Sequence, residues 1–127
     1  MTRPNFPKRA IVTGGMPYGN KTLHFGHVGG MFVHADVFAR FLRDRIGKEN
    51  VIFVSGTDCY GSPIAEGYRK KVEQENYKGT IEDYVTENHN AQLKTLIDYE
   101  INSFVSCWCI SFEPSNAEPP NISKLIS

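Results

Sequence analysis

The apolar positions of this chain fall into short continuous runs and longer periodic stretches, and the two textures predict different elements. Lys8 to Thr13, KRAIVT, is a short apolar run rich in branched residues that stops at Gly14-Gly15, so it reads as a buried strand. A loop to about Leu23 follows. From Gly26 to Ile46, Val28, Met31, Ala35, Phe38 and Leu42 recur at helical spacing while Asp36, Arg40, Arg43 and Asp44 fall elsewhere, the pattern of an amphipathic helix. Gly47 closes it, and Val51 to Ser55, VIFVS, forms a second continuous run bounded by Gly56, read as a second strand.

Strand, loop, helix, strand predicts a right-handed βαβ unit with parallel strands. Ser62-Pro63 opens a further helix to about Gln74, with proline where a missing N–H is harmless. Thr80-x-x-Asp83 is a capping signature with aspartate in place of the usual Glu or Gln, and it starts a third helix reaching about Asp98. Beyond Asn102 the texture changes. Phe104 to Phe112, FVSCWCISF, is apolar enough for a strand, whereas Glu113 to Ser127 carries three prolines and no sustained period and is expected to be disordered. The organisation expected is therefore one α/β domain over residues 8–102 and a divergent tail over 103–127.

Composition narrows the function classes. With 127 residues and 40% hydrophobic content, the chain has material for one modest core. Its 14 basic and 14 acidic residues cancel, so no long-range field draws it to a polyanion or an anionic membrane. The first thirty residues lack an apolar run long enough for a signal peptide or a membrane span, which makes a cytoplasmic setting without membrane contact the expectation. Three cysteines in such a chain suggest reduced thiols, and without paired CxxC spacing no zinc or other metal site is expected.

The chemistry concentrates in MPYGNKTLHFGH, Met16 to His27. It fills the loop after the first strand, where open α/β sheets bind ligands and where a helix N-terminus favours anions. His24 and His27, at i and i+3 around Gly26, project on the same side and offer imidazole donors to a phosphate oxygen. Capping or packing at the helix start is the plainer account of both histidines, and Pro17, Gly19 and Asn20 also suit an ordinary turn. Gly14 to Thr22, GGMPYGNKT, nearly matches a P-loop. Asn20 between Gly19 and Lys21 and the lost N–H of Pro17 spoil the phosphate nest. A second element, Gly56-Thr57-Asp58-Cys59-Tyr60-Gly61, ends the neighbouring strand, so both loops border one cleft. Asp58 there suits an ammonium or a ribose hydroxyl, or simply a turn.

Together these residues resemble the class I aminoacyl-tRNA synthetases, the methionyl-tRNA synthetase family most closely. That family's first signature, proline and tyrosine, then Asn-Gly, ending in His-x-Gly-His, is similar to Pro17 through His27. Ala35-Asp36 with Arg40 resembles the helix that follows it. Gly56-Thr57-Asp58 and Gly61-Ser62-Pro63-Ile64 resemble the block written GTDEHGTPI. The resemblance runs from about Lys8 to Asn102 and implies the first half of a Rossmann-like catalytic domain with an incomplete parallel sheet. Lys21, Phe25 and Cys59-Tyr60 depart from the pattern, and isoleucyl-tRNA synthetase, with a similar opening, is the nearest alternative.

The resemblance further implies ATP-dependent activation of methionine to its adenylate and transfer to tRNA(Met), the transfer only in a full-length form. His24 and His27 would act on the ATP phosphates, with Pro17, Asn20 and Gly26 completing the ATP site and Mg2+ accompanying the nucleotide. Gly15, Met16 and Tyr18 would line the methionine pocket and Asp58 would hold its ammonium. The family's second signature, a KMSKS-like lysine loop, is not found in these 127 residues, nor is a zinc knuckle or an anticodon-binding domain. A synthetase ended early is therefore expected, inactive on its own. The alternative from a different class is a non-catalytic module that keeps a nucleotide or aminoacyl-adenylate pocket.

Overall fold

A computed structural model describes residues 4–101 and 104–108. Three parallel strands, β1 (Ala10–Thr13), β2 (Val51–Thr57) and β3 (Phe104–Trp108), form a sheet in the order β1-β2-β3. Between β1 and β2 runs a helical segment made of α1 (Phe25–His27), a π-helical turn (Val28–Phe32) and α2 (Val33–Ile46). Two more helices, α3 (Ser62–Glu75) and α4 (Ile81–Asp98), join β2 to β3. The parallel β1–helix–β2 unit and both later helices are those the apolar pattern predicts. β3 falls within Phe104 to Phe112, the apolar run that the sequence offers as a strand. The expectation of disorder for Glu113 to Ser127 lies outside the described residues.

Local rules explain most boundaries. Gly47 ends α2 at φ 98, where its N–H reaches the Arg43 carbonyl at 3.0 Å; a side chain is strained at that angle. Pro63 occupies the first turn of α3, and Asn76 closes that helix in the left-handed region. The Thr80 box forms in both directions, Asp83 N–H to Thr80 Oγ1 at 3.1 Å and Thr80 N–H to Asp83 Oδ2 at 2.9 Å. Aspartate therefore serves where glutamate is usual.

The main core lies on one side of the sheet. Val12, Val51 and Phe53 meet Val28, Phe32, Ala39 and Leu42 from the long helix and Leu96 from α4. A second cluster, Cys59, Ile64, Tyr84 and Val85, joins α3 to α4.

Three details differ from the sequence reading. The helix is π-helical over Val28–Phe32, where the Val33 N–H bonds to the Val28 carbonyl. Gly29 lies against the Phe25 ring, where a Cβ would stand 3.3 Å from Cζ, and both Val28 and Phe32 reach the core. Phe38 is exposed and Asp36 is buried. The aspartate is accommodated because Arg40 Nε meets its Oδ2 at 2.7 Å. Ile11 is 71% exposed, so β1 is covered on one face only by the described residues, and its apolar run overstated burial.

Phe53 is fully buried in the central strand. Phe53→Ala should lower unfolding free energy by about 3–5 kcal/mol, whereas Phe25→Ala, at a ring 87% exposed, should change it little. Chemical denaturation of the two variants checks this, and equal losses would place the core elsewhere.

Candidate active site

The loops that leave β1 and β2 are stitched together by main-chain bonds. Tyr18 and Asp58 form a parallel bridge, with Asp58 N–H donating to Pro17 O at 2.8 Å and Gly19 N–H to Asp58 O at 2.8 Å. Gly19 allows this approach, since a Cβ there would stand 3.0 Å from Thr57 Cγ2. The two stretches singled out in the sequence thus meet at the carboxyl ends of neighbouring parallel strands, the usual ligand position of such sheets.

His24 and His27 form a reciprocal cap at the start of α1. His24 Nδ1 accepts from the Gly26 N–H at 3.0 Å, and His27 Nδ1 accepts from the His24 N–H at 3.2 Å. The capping role offered as the plainer account is therefore real. It also fixes chemistry, because a nitrogen that accepts a backbone N–H carries no proton, so each neutral ring is held as the Nε2–H tautomer. The rings lie 3.8 Å apart between centroids. Gly26 makes room for this pair, as a Cβ there would meet His24 Cε1 at 2.9 Å. Burial, then His24, then Lys21 push the His27 pKa below its ordinary value, so near neutral pH the ring is an uncharged donor.

The remaining sequence-predicted residues divide between surface and interior. Met16 and Tyr18 are exposed and Pro17 is buried. Gly15 sits against Met31, whose sulfur would be 2.8 Å from a Cβ there, and its carbonyl accepts from Ser55 Oγ at 3.0 Å. Asp58 Oδ1 accepts from the Tyr60 N–H at 3.2 Å, an Asx turn that orients the carboxylate. Asn20 turns inward, its Nδ2 donating to Pro63 O at 3.1 Å and its Oδ1 enclosed without a hydrogen-bond partner among the described residues. No group of three or more His, Cys, Asp or Glu that would hold a metal occurs among the described residues.

Sequence reasoning missed the residues behind the loop. Gln92 Nε2 donates to Tyr18 O and to Lys21 O, both at 2.8 Å. Thr57 Oγ1 donates to Gln92 Oε1 at 3.0 Å and lies 2.7 Å from His89 Nδ1. Tyr84 Oη donates to Asn20 O at 2.8 Å. A signal was present, since Val85, His89, Gln92 and Leu96 share one face of α4 at helical spacing, which sets two polar residues in an apolar stripe. Burial lowers the His89 pKa.

Comparison with known proteins adds family context. A family model described as tRNA synthetases class I (M) matches residues 10–106. A Methionine–tRNA ligase of Sulfolobus acidocaldarius is 37% identical over 120 residues, which is 91% of this chain and 18% of that protein. One from Cytophaga hutchinsonii is 37% identical over 90 residues, 71% of this chain and 12% of its own length. A third, from Thermococcus onnurineus, is 48% identical over 56 residues, covering 44% of this chain and 7% of that protein. The chain therefore spans less than a fifth of the length of these relatives.

Two pH measurements follow. In an NMR titration His27 should protonate below the ordinary histidine value of about 6.5. His24→Gln should raise it only part of the way, because burial, the larger cause, remains. A His27 that titrates normally in both forms would contradict the paired geometry. For His89 and His27 the unfolded chain binds protons more readily than the fold, so stability is fully present above about pH 6.5 and declines as pH falls toward the lowered folded values. Urea melts from about pH 5 to about pH 8 test this; a stability that rises on acidification through the window would reverse the assignment.

Proposed function

This chain belongs to the class I (M) tRNA synthetases, and from that premise we propose that its paired-histidine turn is the ATP-phosphate part of a methionine-activating site. The observation that carries the reading is the cap itself. It spends both Nδ1 atoms on backbone N–H groups and so leaves both imidazoles as Nε2–H donors at one place. Activation forms a bond between a methionine carboxylate oxygen and the α-phosphorus of ATP and breaks the bond to pyrophosphate. Negative charge grows on phosphate oxygens during that exchange, and fixed donors already oriented toward it lower the barrier. Mg2+ bound with ATP would supply further charge neutralisation.

The adjoining loop suits the amino acid. Tyr18 and Met16 present apolar surface beside Gly15, and Asp58, tethered through Tyr60 N–H, offers a carboxylate for the substrate ammonium. A flexible thioether is well matched by a soft apolar wall with one charged anchor. Pro17 and Asn20 hold the turn from behind, Asn20 through Pro63 O, and Gly26 admits the His24 ring. In a full-length form the adenylate would pass to tRNA(Met) during translation, which implies a cytoplasmic setting. No helix among the described residues is long and apolar enough to cross a membrane.

A non-hydrolysable methionyl-adenylate analogue titrated into the labelled chain should shift resonances of Gly15 to His27 and of Asp58, and the isoleucyl analogue should shift them less. Shifts confined to other residues, or equal shifts with both analogues, would refute the assignment. The purified 127-residue chain should show only background methionine-dependent ATP–pyrophosphate exchange. Robust turnover would overturn the expectation that these residues supply only part of the catalytic groups.

A further inference from the structure

We propose that Gln92 on α4 is a positioning residue of the adenylate site, bracketing the Tyr18–Lys21 turn so that Tyr18 and the two histidines act from one fixed loop with Asp58 bridged to it. This rests on the reading of that loop as the adenylate site. Both N–H bonds of the Gln92 carboxamide are used, one on Tyr18 O and one on Lys21 O, each at 2.8 Å. They pin the two ends of a turn that leads directly into His24. Gln92, Thr57 and His89 are 3%, 2% and 4% exposed, so water does not substitute for a lost partner at low energy.

The orientation of the amide has one solution. Turning it over would set Oε1 against two carbonyl oxygens, so Nε2 must face the loop and Oε1 must face Thr57. Thr57 has a single hydroxyl proton, which goes to Gln92 Oε1 at 3.0 Å; the 2.7 Å contact to His89 must then be a donation from His89 Nδ1–H to Thr57 Oγ1. A directed relay results, His89 to Thr57 to Gln92 to the loop carbonyls. Thr57 also precedes Asp58, the residue bridged to Tyr18. One chain of hydrogen bonds therefore sets the turn after β1 and the turn after β2 against the same helix.

Amide hydrogen exchange on this chain separates positioning from general support. Gly19 and Asp58 N–H report the bridged loops, while Gly14 N–H, bonded to Val54 O at 2.9 Å, reports the sheet. Gln92→Leu should accelerate exchange at Gly19 and Asp58 by about tenfold or more, the effect of stranding buried carbonyls, with a much smaller change at Gly14. Affinity for the methionyl-adenylate analogue should fall by a similar factor. His89→Asn keeps a donor where Nδ1 stands and should leave both loop amides near wild type, whereas His89→Phe should loosen them, so the relay remains testable if Gln92→Leu does not fold. Equal acceleration at Gly14, Gly19 and Asp58, or indistinguishable behaviour of His89→Asn and His89→Phe, would overturn the bracket. Wild-type chain that fails to bind the analogue would instead overturn the adenylate reading, since the exchange rates are measured without ligand.

Discussion

An irregular loop that lies against a protein interior must find partners for its backbone polar groups, and that constraint shapes this molecule. The turn from Pro17 to Lys21 has no helix or ladder of its own to satisfy them. Its carbonyls are taken up by Asp58 N–H, Gln92 Nε2 and Tyr84 Oη, and Gly19 N–H by Asp58 O. α4 is therefore more than a cover for the sheet. Its inward face combines apolar contacts at Val85 and Leu96 with polar contacts that hold the loop.

The same economy governs the histidines. Helix starts are commonly capped by Ser, Thr, Asp or Asn, because a small oxygen acceptor reaches the free N–H groups. Here two imidazoles do that work, and each keeps a second nitrogen pointing away from the backbone as a donor. Capping and ligand chemistry are usually alternatives for a side chain. With imidazole they are two ends of one ring, so the capping seen at His24 and His27 leaves each ring a second nitrogen for the role proposed above.

What the sequence made legible was local. Strand β1, the helix closing at Gly47, Pro63 in the first turn of α3 and the Thr80–Asp83 box each follow from a few neighbouring residues. The histidine spacing and the GTD stretch pointed to the two loops, since motif and strand end lie together in the chain. Legibility failed where distant partners decide. The pairs joining Gln92 to Tyr18 and Lys21 are separated by 74 and 71 residues, and Tyr84 to Asn20 by 64. Nothing in a helical wheel of α4 names those partners. Asp36 looked like a surface residue because its burial depends on Arg40 folding over it. Ile11 looked buried because an apolar run does not disclose which sheet face is covered.

The bridge between Tyr18 and Asp58 is made wholly of main chain, and this bears on how far the site can drift in evolution. Neither Cys59 nor Tyr60 supplies a side chain to the bridge. Cys59 is committed to the interior beside Ile64 and Val85, where volume limits replacement, while Tyr60 is exposed and contributes its N–H to Asp58. The tether to Asp58 asks of position 60 a backbone N–H, which proline lacks, while Cys59 also donates its Sγ–H to Thr57 O at 3.3 Å. Lineages can rewrite the letters of this segment while inheriting the same contact.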